Sequence, residues 1–306
     1  MQTRLTLGPV LFHWPGEALR DFHFRIADEA PIDAVCLGEV VCPKRAPELA
    51  PHLGAVAERY AAAGKEVVFA TPSLTMSGAE RRMTEAALAA AGELLVEAND
   101  IAALGALAGR DHAIGPFVNV YNEDSLAWLA GRGARRVCLT PELPASAIAA
   151  IAEAARARGL DVALEVMAFG RMPLSLSARC YHARAHGLAR DDCRYVCAQD
   201  PDGLALDTLD GEPFLAVNGP QAMSHTWLNL LAELPVLAAM GIARLRLSPQ
   251  SCDMVAVARA FRDVLDGRIA AGEGAALLGR AAAGADFSNG YFHGREGAAY
   301  ADQAEA

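Results

Sequence analysis

No uncharged apolar run in this 306-residue sequence reaches the roughly 18 residues that a membrane span needs. The opening text, "MQTRLTLGPVLFHWPGEALRDFHF", lacks an apolar core segment and a small-residue cleavage site, so it reads as no signal peptide. The expected compartment is the reducing cytoplasm, where stable disulfides are rare. No Gly-rich loop follows a strand, which leaves a flavin or nicotinamide cofactor without support in the text. Neither G-x-S-x-G nor H-E-x-x-H occurs, so the serine-hydrolase elbow and the zinc-peptidase helix are both missing. Excess positive charge is missing too. The net charge is −10, and such a surface repels a nucleic-acid backbone. There is no internal repeat, low-complexity tract or clear linker.

What is present is a folded α/β chain. Hydrophobic residues make up 53% and charged residues 21%, a balance that excludes disorder. Short apolar runs at 4–10, 33–38, 66–71, 94–98, 113–120, 135–140, 161–169 and 243–248 read as strands. Helix-like stretches lie between them, for example at 16–29, 47–63, 78–92, 122–131, 144–158 and 254–268. Eight strands alternating with helices predict a parallel sheet, and the count matches a TIM-like (β/α)8 barrel. An open doubly wound sheet is the alternative, because periodicity alone cannot close a sheet. The expected organisation is one barrel domain over 1–306. It has a cysteine-bearing insertion at 170–242, a hairpin turning at Asp210-Gly211, and a Gly-rich C-terminal tail at 284–306.

Polar residues recur late in the strands: Glu39, Glu97, Asn119, Glu165, Arg246 and Ser248. In a barrel the C-terminal strand ends carry function, so these residues predict a rim pocket. The plainer reading pairs each carboxylate with a nearby arginine, because a charge inside an apolar strand needs a partner.

Three of the seven cysteines fall within "CYHARAHGLARDDCRYVC", at 180, 193 and 197. In a reducing compartment such a cluster favours metal binding or catalysis over cross-linking. Cys36 and Cys138 lie inside strand runs and read as packing residues. Cys252 sits at a helix start. Cys42 follows the second strand and belongs on the rim. Cys193 and Cys197 share a face if their segment is helical. Four thiolates from three segments suit zinc or an iron–sulfur cluster, and spacing alone favours neither. Arg179, Arg184, Arg190 and Arg194 flank these cysteines and could offset the charge of a thiolate cluster. His182 and His186 are four apart and could compete as ligands, although polar-turn surface histidines are the plainer reading.

"EVMAFGRMPLSLSARC", residues 165–180, resembles the signature of the collagenase-like peptidases of unassigned mechanism. Glu165, Gly170, Ser177, Ala178 and Cys180 match it, while Pro173 stands where that signature has its first cysteine. One branch of the family lacks that cysteine. "LGPVLFHWP", "LGEVVCPKR", "DDCRYVC", "RLSPQ" and "NGYFHG" are similar to text of the same branch, so the resemblance spans nearly the whole chain. It implies that Cys42, Cys180, Cys193 and Cys197 bind a [4Fe-4S] cluster, with Cys252 outside the set. It also implies a heterodimer with a UbiU-like protein, with a lipid-carrier accessory protein of the ubiquinone pathway as a further partner. The implied activity is oxygen-independent hydroxylation of the aromatic ring of ubiquinone precursors, with prephenate as a candidate oxygen donor. For that chemistry Glu39 and Glu165 are candidates for proton handling, and Arg171 and Arg179 for holding a carboxylate. Two other readings stay open. One is a peptidase, for which Cys180 with His182 is the only adjacent nucleophile and base. The other is a non-catalytic scaffold in which zinc holds the insertion on the barrel.

Overall fold

A computed structural model describes residues 3–301. Its strands are β1 (Arg4–Leu7), β2 (Ala34–Leu37), β3 (Glu66–Ala70), β4 (Leu95–Ala98), β5 (His112–Ile114), β6 (Ala134–Cys138) and β7 (Ala163–Leu176). They continue as β8 (Leu204–Asp207), β9 (Pro213–Asn218), β10 (Gln221–Asn229), β11 (Arg244–Leu247) and β12 (Phe287–Ser288). Strands β1 to β7 pair in parallel in chain order. β11 pairs in parallel with β7 on one side and β1 on the other, with Arg244 opposite both Glu165 and Arg4. That double pairing closes the sheet into a (β/α)8 barrel and decides against the open alternative.

Alternation along the strands explains the layers. Leu5, Leu7, Val35, Leu37, Val96, Leu245 and Leu247 join the core beneath the outer helices. The alternate positions carry polar groups. Arg136 and Arg244 each bond Glu66 at 2.7 Å, and Arg246 bonds both Glu97 and Glu165. The barrel centre is therefore laced by ion pairs rather than filled by aliphatic layers.

β7 runs past the barrel to Leu176 and pairs antiparallel with β10, which pairs with β9, and β9 with β8. The β8–β9 hairpin turns where the sequence indicated: Gly211 N bonds Thr208 O at 3.0 Å. The loop after β1 fastens this extension to the barrel mouth. Val10, Leu11, Phe12 and Trp14 pack with Cys36, Val40, Val41, Ala216 and Met223, and Trp14 Nε1 donates to Pro201 O at 2.8 Å. The C-terminal segment packs as well. β12 adds to β10, and Asn289 and His293 donate to the buried Glu233 at 2.8 and 2.9 Å. Residues 302–306 of the expected tail lie outside the described residues.

Candidate metal centre

Cys42 is delivered by the turn after β2. Gly38 there has φ +141°, and a Cβ would fall 2.2 Å from Ala70 O, so the chain can turn at the rim only with glycine. Glu39 Oε1 accepts the amides of Val41 and Cys42, both at 2.9 Å, and fixes the loop. Burial raises the Glu39 carboxyl pKa, opposed by the Arg45 guanidinium and the two amides. Cys42 then precedes the 3-10 turn Pro43–Arg45, which turns Arg45 inward.

Cys180 arrives from the far end of β7. It caps the short helix Tyr181–Ala185, its Sγ accepting from Ala183 N at 3.4 Å. Cys193 and Cys197 are not on one helical face, as their spacing allowed. Arg194 and Tyr195 between them are left-handed, with φ 48° and 53°, and a 3-10 turn, Val196–Gln199, follows. A tight reversal costing about 1 kcal/mol or more per non-glycine residue brings these two thiols round.

The four thiols line one small cavity of about 20 Å³, together with Lys44, Arg45, His182, Arg190 and Tyr195. Among the described residues, no three of them have sulfurs within 4.8 Å of one another. Arg45 is buried; its Nη1 donates to Leu11 O and its Nη2 to Asn218 Oδ1, both at 2.9 Å, while Nε has no hydrogen-bond partner. Burial works against this charge, but Glu39, Cys197 and Cys42 outweigh it and hold the guanidinium ionised. Burial in turn raises the thiols of Cys42 and Cys197, with Arg45 the main opposing influence. His13 Nδ1 lies 3.5 Å from Cys197 Sγ. A buried cation with an unspent donor beside four thiols fits an anionic, thiolate-bound group.

The remaining sequence candidates are dispersed. Glu165 is fully buried inside the barrel and bound to Arg246 Nε at 3.0 Å, apart from the thiols. Arg171 donates to the carbonyls of Ser224 and His225 and lines a different cleft with Asp202, Trp227 and Ser251. Arg179 is exposed one residue before Cys180. Of the flanking arginines, Arg184 and Arg194 are exposed, and only Arg190 lines the space, held by Glu80 at 2.9 Å. Asn119 is exposed. Cys36 and Cys138 face the ion pairs of the barrel interior, where burial pushes both thiols well up. Burial, then Asp202 and Asp253, push Cys252 up to about 12, which argues against a reactive thiol. His182 is fully buried rather than a surface residue, and only His186 is exposed. Arg45, His13 and Asn218 escaped the sequence reading, although "CPKR" does set Arg45 three residues from Cys42.

Fold and site together define a TIM-like barrel with a cysteine-lined centre at the junction of its mouth and a late β extension. The sequence profile of peptidase family U32 matches residues 22–302, and the chain belongs to that family. Solved structures show distant likenesses. An enolase of Agrobacterium radiobacter is 19% identical, with a TM-score of 0.38, over 54% of this chain and 45% of that one. A dihydrodipicolinate synthase of Agrobacterium tumefaciens is 14% identical, with a TM-score of 0.36, over 90% and 79%. A DAHP synthase of Thermotoga maritima is 10% identical, with a TM-score of 0.35, over 94% and 71%. An uncharacterised Bacillus cereus protein is matched over 62% of its own length, so the chain spans less than two thirds of this structure and of the enolase. Among the described residues, no helix is long and apolar enough to cross a membrane.

Proposed function

We propose that this chain is a UbiV-like iron–sulfur subunit of a cytoplasmic, oxygen-independent hydroxylase of ubiquinone precursors, working as a heterodimer with a UbiU-like protein. Cys42, Cys180, Cys193 and Cys197 would hold a [4Fe-4S] cluster. The observation that carries the reading is the convergence of these four thiols, from three remote segments, around the buried Arg45. When bound, such a cluster supplies one-electron transfer. The chain's own residues do the rest. Arg45 offsets the charge of the thiolates, Glu39 holds the Cys42 loop through two amides, and His13 stands against the Cys197 sulfur. Arg179, exposed beside Cys180, is the favoured anion-holding group for a carboxylate substrate such as prephenate. Arg171 remains a second candidate in its own cleft. The ion pairing of Glu165 favours a stabilising role over proton handling.

The two other readings draw less support. A tetrahedral zinc with sulfurs at about 2.3 Å sets them about 3.8 Å apart, closer than any three of these thiols lie. A Cys180 nucleophile needs a histidine base. The His182 nitrogens instead face Val217 O at 3.2 Å and Asp200 Oδ2 at 2.8 Å.

Anaerobic purification followed by iron and sulfide assays tests the proposal. About four irons per chain, and a brown colour that bleaches in air, are expected of a cubane cluster. One zinc with no labile sulfide would overturn it. So would a colourless anaerobic protein that still supports quinone synthesis without oxygen.

A further inference from the structure

Three ligand-type side chains that are not thiols meet beside the cysteine-lined space. His182 and His186 stand one helical turn apart, their rings 8° from parallel with centroids 5.7 Å apart. Asp200, at the end of the turn Val196–Gln199, completes a group whose ligand atoms all lie within 4.8 Å of one another. We propose that His182, His186 and Asp200 bind one divalent transition-metal ion, at a site that adjoins the four-cysteine centre through His182 but takes no thiol ligand.

Hydrogen-bond accounting at His182 supports the assignment. The imidazole is fully buried. Nδ1 lies 3.2 Å from Val217 O and Nε2 lies 2.8 Å from Asp200 Oδ2, and both neighbours only accept. A neutral imidazole has one N–H, so it satisfies one of the two. Donation from Nδ1 to the Val217 carbonyl is the orienting bond that metal-bound histidines usually make. It leaves the Nε2 lone pair facing a carboxylate, and a cation shared with Asp200 satisfies both. His186 is exposed and Asp200 half-buried, so an ion has a route in and two side chains free to adjust. Two imidazoles and one carboxylate suit zinc or ferrous iron rather than calcium or magnesium, and three protein ligands leave a position for water or a small anion. The site would brace the same segments that carry Cys180 and Cys197, but it uses no cysteine and does not depend on what the thiols hold.

The test equilibrates the anaerobically purified full chain with micromolar zinc, removes free metal, and counts zinc, iron and sulfide separately. One zinc per chain is expected, and it should raise the melting temperature. Because His182 is buried, the outer ligands carry the test. His186→Ala and Asp200→Asn should each weaken zinc binding at least about tenfold, with iron and sulfide unchanged. Wild-type protein that retains no zinc would overturn the proposal. Zinc that survives both substitutions, or disappears with Cys42→Ala instead, would do the same. Failure of the cluster reading shows up separately, as missing iron and sulfide with the zinc count intact.

Discussion

Arg45 and Asn218, 173 residues apart in the chain, meet beside the thiol-lined space, Nη2 donating to Oδ1 at 2.9 Å. Gly219 makes room for the contact: it is left-handed at φ +61°, and a Cβ there would lie 2.7 Å from Nη2. One guanidinium thus ties the loop carrying Cys42 to the β extension that Cys180 and Cys197 pack against.

Arg45→Met should therefore have two separable effects. Losing the donor to Asn218 Oδ1 leaves that buried acceptor unpaired, while Leu11 O keeps the Asn218 Nδ2 donor at 2.7 Å, so the apoprotein should lose about 2 kcal/mol in urea unfolding. In the loaded protein, removing a buried cation beside the thiolates should lower the cluster's reduction potential, and Arg45→Lys should recover part of it. Potentiometric titration followed by visible absorbance reads this directly. An unchanged potential with full iron content would mean that Arg45 only packs.

The cysteines divide into two groups that substitution should separate. Cys42→Ala, Cys180→Ala, Cys193→Ala or Cys197→Ala should each abolish the anaerobic brown colour. Cys36→Ala and Cys138→Ala, which alter the barrel interior, should keep it. Iron per chain is the readout. Equal loss from both groups would point to general unfolding rather than ligation.

Much of this arrangement was legible in the sequence, for identifiable reasons. Each of the eight barrel strands is a short apolar run between amphipathic stretches, and the first helix, Gly16–Glu29, occurs over the range its pattern indicated. The helices Ile101–Ala106, Leu234–Ala239 and Ala271–Ala281 do not stand out in the text, because short or Ala- and Gly-rich segments carry weak periodicity. Closure was illegible, since it depends on β11 bonding β1 across the length of the chain. Glu97, Glu165 and Arg246 illustrate an ambiguity of another kind. An inward strand position reads the same whether it faces a pocket or a buried partner, and here each faces a partner. Arg45 was hidden because its acceptors, Leu11 O and Asn218, come from segments remote from it and from each other in the sequence.

Arg246 holds two buried carboxylates at once, Glu97 through Nη1 at 3.1 Å and Glu165 through Nε at 3.0 Å. Arg246→Met should take the bonded cation from both and cost about 3–5 kcal/mol, because breaking a buried pair strands its partners. Equilibrium urea unfolding of the apoprotein measures it. A loss below about 1 kcal/mol, the range of exposed pairs, would mean that water already reaches these groups.

The same cluster predicts a pH dependence with a definite sign. Burial raises the Glu165 pKa, but Arg246 and Arg136 outweigh it, and the folded-state value lies below the usual 4.5. A depressed carboxyl pKa means that the unfolded chain takes up its proton first. The stabilisation from Glu165 should thus be complete above about pH 4.5 and be lost as the pH falls through the lower folded value. Unfolding midpoints of the wild type and Glu165→Gln, compared from pH 6 down to the acid limit of folding, isolate this contribution. The wild-type advantage should be constant at the upper end and shrink steadily on the acid side. A gap that stays level throughout, or widens toward acid, would show that the Glu165 carboxyl is not held ionised by its arginine neighbours.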